Sequence, residues 1–130
     1  MDVEEVKRRL FRIYSRIPKL RCKENCGKCC GVHHWFYAEW LVITDWLKKH
    51  GRTELFAKSI FDPCPYLDER RRCTIYEVRP TICRLYGVVE TLRCPYVKPE
   101  RYLTEEEARQ ILNEVVELSK QVRRVIPWTR

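Results

Sequence analysis

The chemistry in this chain is concentrated in its thiols. Eight of the 130 residues are cysteine. Cys22, Cys26, Cys29 and Cys30 crowd one short stretch, whereas Cys64, Cys73, Cys83 and Cys94 follow singly and must be brought to it by folding. Thiolates are soft ligands for zinc, copper(I) and iron–sulfur clusters. Each must shed its proton to bind, so positively charged surroundings help. Cys26 and Cys29 have the short spacing of a zinc-ligand pair, with Gly27 to turn the chain between them. The adjacent side chains of Cys29 and Cys30 diverge and do not both suit one small ion. A cluster with several iron corners relaxes that constraint, as do two neighbouring zinc ions. Eight thiols allow one four-iron cluster with cysteines to spare, or two four-thiolate zinc sites. His33 and His34 stand just beyond the nest, but with thiols so abundant they are read as flanking the next helix rather than as ligands. His50 is expected at a helix end, where a partly charged imidazole suits the dipole.

The elements that must position these residues are mostly helical. Val3, Val6, Leu10, Ile13 and Ile17 recur at helical spacing until Pro18, which predicts a helix over 2–17. A second helix is predicted from about Trp35 to His50, with Phe36, Trp40, Ile43 and Leu47 on one face, Trp35, Trp40 and Trp46 as core residues, and Gly51 in the left-handed position after it. A short helix is expected between Thr53 and Ile60. Short strands are expected over Cys64 to Leu67 and Arg72 to Tyr76, a hairpin around the charged turn Asp68 to Arg71 that holds Cys64 near Cys73. Arg79-Pro80 should open a helical turn through Leu85, and 88–93 reads as a strand. The C-terminal helix, 104–126, has the clearest signature. Thr104 and Glu107 form a capping box, the first turn is acidic, and Ala108, Ile111, Leu112, Val115, Val116, Leu118 and Val122 form the apolar stripe. The expected fold is mainly α with a small β-hairpin: one domain over 1–130, with a cysteine-cluster core at 22–95 flanked by the terminal helices.

Composition narrows the function classes. The first residues put acids ahead of bases with no apolar core, so no secretory signal is expected, and no stretch approaches the length of a membrane span. A cytoplasmic protein with no membrane association follows, and in a reducing cytosol the cysteines are ligands before they are disulfides, heat-loving organisms being the exception. A net charge of +8 favours acidic partners. Nucleic acid is therefore a runner-up reading, without a recognisable binding motif to support it. The run Arg70-Arg71-Arg72 reads as a solvated turn. No nucleophile with its base, and no paired catalytic carboxylates, can be discerned, so the protein is expected not to be an enzyme.

The run from Cys22 through Cys26, Cys29 and Cys30, then Cys64-Pro-Tyr-Leu, then Cys73-Thr-Ile-Tyr76-Glu-Val-Arg79-Pro80-Thr-Ile-Cys83-Arg84-Leu-Tyr86, resembles the YkgJ-like cysteine-cluster family, a zinc- or iron-chelating domain with a CxxCxxCC motif. Two departures stand in this chain. Three residues rather than two separate Cys22 from Cys26, and Gly87 follows the aromatic where the family often has proline. Cys94-Pro95 is similar to a later cysteine-proline of many members. The resemblance implies that all eight cysteines are candidate metal ligands, and that Arg79 and Arg84 stand behind them, offsetting the negative charge of an anionic thiolate site. The alternative for the two arginines is surface pairing with Glu77 or Asp68. Tyr76 and Tyr86 are read as shielding the site. A similar cysteine domain occurs in flagellin lysine N-methylases, where it looks like an iron–sulfur site, and this favours an iron–sulfur cluster over zinc here. No Gly-rich loop for S-adenosylmethionine is present, so a complete methylase is not expected; a subunit or relative of one is the alternative to an accessory, electron-transfer or metal-handling protein with an unidentified protein partner.

Overall fold

The computed structural model describes residues 1–21, 26, 31 and 34–125. Three long helices carry the fold: α1 (Val3–Tyr14), α2 (Tyr37–Lys49) and α4 (Glu105–Val125). Each packs on the other two. Between α2 and α4 come a 3-10 turn (Tyr76–Val78), the short helix α3 (Thr81–Leu85) and an antiparallel two-stranded hairpin of β1 (Val88–Val89) and β2 (Leu92–Arg93). The mainly helical fold with a small hairpin is as expected.

Local chemistry sets the helix ends. Asp2 caps α1 by accepting the backbone N–H of Glu5 at 2.8 Å. The helix closes three residues earlier than its apolar period suggests, because Ser15 Oγ takes up the Arg12 carbonyl and the next amides turn back to Ile13 and Tyr14. In α4 the capping box forms as predicted: Thr104 Oγ1 accepts the Glu107 amide and Glu107 accepts the Thr104 amide, both at 3.1 Å. Gly51 adopts φ +65° after α2, the left-handed position foreseen for it. His50 stacks on Trp46 at that helix end.

The core is built from Val6, Leu10 and Tyr14 of α1, Val42, Ile43 and Leu47 of α2, and Ile111, Val115, Leu118 and Val122 of α4. Tyr66, Val78, Leu85, Val88 and Leu103 close it.

Three local expectations are corrected. Residues 53–57 are not helical. The guanidinium of Arg52 grips the carbonyl and hydroxyl of Thr74 at 2.7 and 2.8 Å, the Glu54 carboxylate accepts the Trp40 indole N–H, and the Leu55 amide donates to the Tyr66 hydroxyl. The last of these takes a backbone N–H that a helical turn would use, and the two side-chain contacts tie the segment to Thr74 and Trp40 instead. The 64–76 segment forms a single bridge, Leu67 to Cys73, rather than two strands. Its turn is held by the Asp68 carboxylate, which accepts the amides of Arg70 and Arg72, with Arg71 at φ +59°. The hairpin of the fold is instead at 88–93. Finally, the tryptophans of 35–46 are half-buried rather than central. The indole N–H groups of Trp40 and Trp46 reach the carboxylates of Glu54 and Glu77, which keeps both rings at the rim of the core.

Candidate metal centre

Three segments deliver thiols to one place. Cys64 lies where the chain leaves its pairing of Gly31 with Pro63, Cys73 forms the bridge to Leu67, and Cys83 sits in the middle of α3. All three line one cavity of about 250 Å³, whose walls include Trp35, Leu55 and Tyr66. Trp35 and Tyr66 lie ring to ring at 5.6 Å. Gly31, next to Cys30 in the sequence, also lines the cavity. Arg71 on the 68–72 turn reaches the Cys26 carbonyl at 3.4 Å, and Tyr76 reaches the Leu20 carbonyl at 3.4 Å.

The electrostatics of the cavity resist bare thiolates. Burial pushes the Cys83 thiol up to about 12; the neighbouring Cys64 and Cys73 add to the shift, while the Arg79 guanidinium opposes it. Burial likewise raises Cys64, against amide hydrogen bonds from Tyr66 and Leu67. Thiols in such a place are protonated unless a cation replaces the proton. Among the described residues, no three His, Cys, Asp or Glu side chains are grouped to hold an ion, and no disulfide joins one described cysteine to another. Cys64, Cys73 and Cys83 share the lining of one cavity without being grouped around a single point. Cys22, Cys29, Cys30 and His33 lie outside the described residues.

Cys94 stands apart from the cavity lining. Its Cβ lies 3.3 Å from where a side chain on Gly87 would begin, and that same point collides with Leu20 Cδ2. Gly87 has φ +91°. Proline, fixed near −65°, has no place there.

The two arginines of the motif part company. Arg79 lines the cavity, with its guanidinium 3.8 Å from the Tyr76 ring centre. Arg84 lies over the Tyr14 ring at 4.0 Å and donates to the carbonyls of Arg79 and Glu77. Neither pairs with the carboxylate of Glu77 or Asp68: the first accepts the Trp46 indole, and the second holds Arg72 at 3.0 Å. Tyr76 lines the cavity while remaining half exposed, and Tyr86 is exposed elsewhere.

One residue that positions the site escapes a reading of composition and spacing. Glu39 is fully buried in α2. Its Oε2 accepts the hydroxyls of Tyr14 at 2.6 Å and Thr81 at 2.7 Å and also the Thr81 amide, while Oε1 accepts the Phe36 amide at 3.1 Å. The carboxylate therefore ties the ends of α1 and α2 to the first turn of α3, two residues from Cys83. Burial and this neighbouring charge hold the Tyr14 phenol well above its ordinary range. The signal in the sequence is a glutamate set into an apolar stripe, between Ala38 and Val42, where a solvated charge has no reason to be.

The family model CxxCxxCC, described as a "Putative zinc- or iron-chelating domain", matches residues 21–116. The chain belongs to the CxxCxxCC family. No curated protein and no solved structure gives a match. The match to the CxxCxxCC domain spans the segments that carry all eight cysteines, the three cavity thiols among them, together with Glu39 and the first half of α4. Metal chelation is the property this family description assigns. No described helix of this CxxCxxCC protein is long and apolar enough to cross a membrane.

Proposed function

We propose that this CxxCxxCC protein holds an iron–sulfur cluster through its cysteines and works as an accessory, electron-transfer or metal-handling protein. The observation that supports this most is the convergence of Cys64, Cys73 and Cys83 on one cavity of about 250 Å³ with mostly apolar walls. A single zinc ion draws four sulfurs to ~2.3 Å and leaves no room between them, whereas a multi-iron cluster fills space and accepts thiolates at separate corners. The donors are all soft, as such a cluster requires.

The residues around the cavity have roles suited to that cargo. Cys64, Cys73 and Cys83 supply three of the four thiolates that a four-iron cluster takes, and one of Cys22, Cys26, Cys29 and Cys30 supplies the fourth, which leaves cysteines to spare. Arg79 offsets its negative charge. Trp35, Leu55 and Tyr66 keep water from the sulfurs, which tunes the electron affinity that a cluster supplies when bound. Because ligation needs reduced thiols, we place the protein in the cytoplasm.

The test is anaerobic purification followed by iron, sulfide and zinc analysis. Brown protein with absorbance near 400 nm and with iron and acid-labile sulfide in equal amounts supports the proposal. Colourless protein carrying stoichiometric zinc and no sulfide rejects it.

A further inference from the structure

We propose that a second, basic cleft binds a phosphate-bearing small molecule of nucleotide size. The cleft lies between the chain that follows α1 and the 100–101 loop, and it has a volume of about 620 Å³. Arg16, Lys19, Arg79, Arg84 and Arg101 line it, against the single carboxylate of Glu100. Two of the five cations have carboxylate partners: Arg16 is ion-paired with Glu114, and Arg101 stands 4.0 Å from Glu107. Among the described residues, Lys19, Arg79 and Arg84 form no ion pair. Cations gathered at this density repel one another, and a multivalent anion relieves that repulsion.

The geometry favours phosphoryl oxygens over a lone halide or carboxylate. Arg84 is half-buried, and burial already lowers its proton affinity. It is fixed from behind by the Tyr14 ring, by the Arg79 carbonyl at 2.7 Å and by the Glu77 carbonyl at 2.9 Å. Tyr14 is itself held by Glu39. Arg84 is thereby a fixed positive charge at the cleft wall, and Arg16, Lys19, Arg79 and Arg101 around it supply further donors for the several oxygens of a phosphate chain. The volume falls within the several hundred Å³ typical of small-molecule sites and far exceeds a single phosphate. Arg79 lines this cleft and the thiol cavity alike, so a bound anion sits one side chain from the cysteines. The inference does not depend on which metal, if any, the cysteines hold.

Calorimetric titration of the full chain at physiological salt tests it, with adenosine triphosphate, tripolyphosphate and inorganic phosphate as probes. The expected result is saturable one-to-one binding of the first two, with inorganic phosphate weaker. Lys19→Glu or Arg101→Glu should weaken it about tenfold, since each reverses a charge at the rim. Lys58→Glu removes the same net charge from a segment outside the cleft and should leave binding unchanged. Tighter binding of the nucleotide than of tripolyphosphate assigns the base a share of the cleft; equal affinity assigns the ligand as polyphosphate. Absence of saturable binding overturns the proposal, as does equal weakening by Lys58→Glu, and so does RNA binding that all three variants weaken alike.

Discussion

Removing the carboxylate of Glu39 should cost more stability than removing any other single polar group described in this fold. Its two oxygens accept four hydrogen bonds, from Tyr14, Phe36 and twice from Thr81, at a position with no solvent access. Hydrogen bonds to a charged group contribute about 1.5–3 kcal/mol each, but their losses do not add, because partners relax and some find one another. Glu39→Ala strands the Tyr14 hydroxyl and the Thr81 amide in the interior and opens a void, for which about 4 kcal/mol is a reasonable total. That is a large part of the 5–15 kcal/mol that keeps a domain folded. Glu39→Gln keeps the shape and an oxygen for Tyr14 and Thr81 but sets its NH2 against the Phe36 amide, so about 2 kcal/mol is expected. Urea unfolding of the reduced, metal-free protein, followed by circular dichroism, reads both. Because Glu39 anchors the turn that carries Cys83, metal retention should fall in the same order. A loss below about 1 kcal/mol for Glu39→Ala, or equal effects of Ala and Gln, would refute the reasoning that this carboxylate is a hydrogen-bonded hub.

Other expectations follow from single contacts. Gly87→Ala sets a Cβ against Leu20 and Cys94 on a backbone at φ +91°, and thermal unfolding should show a loss of about 2 kcal/mol or more. Thr104→Ala removes the cap of α4 and should cost about 1 kcal/mol, while Thr104→Ser should restore most of it. Cys83 is held up to about 12 from an ordinary value of 9.0, so the metal-free fold keeps its proton where the unfolded chain has lost it. Its contribution to stability is present below pH 9 and is lost as pH rises from there towards about 12. The same shift means that metal uptake near neutral pH must release protons and tighten as pH rises; titration in weakly buffered solution measures this, and uptake without proton release would count against ligation by these thiols.

Much of this fold can be read from the sequence where the signal is local. The capping pair Thr104 and Glu107, the acidic first turn of α4 and the stripe from Ala108 to Val122 depend on residues within a few positions of one another, and each appears as expected. The segment 53–57 was opaque for the opposite reason. Its conformation is decided by Thr74, Trp40 and Tyr66, which lie 11 to 22 positions away and which no window along the chain connects to it. Trp40 and Trp46 depart from expectation in a similar way, since a large ring suggests the core while its N–H finds an acceptor at the rim. At the candidate site, residue types pointed to soft-metal chemistry and to Cys64 beside Cys73. That Cys83 turns to the same cavity, that Arg79 follows it while Arg84 turns to Tyr14, and that Glu39 holds the turn in place are consequences of how α3 docks. No spacing rule contains them.

X-ray absorption at the metal edge of anaerobically purified protein tests the central claim most directly, because it reports the ligand atoms themselves. An iron edge with an all-sulfur first shell and neighbouring iron atoms in the second is the predicted result, and it should weaken in Cys83→Ser but persist in Cys94→Ser, which alters a cysteine outside the cavity lining. A zinc edge with no iron, or a first shell dominated by oxygen and nitrogen, would contradict it.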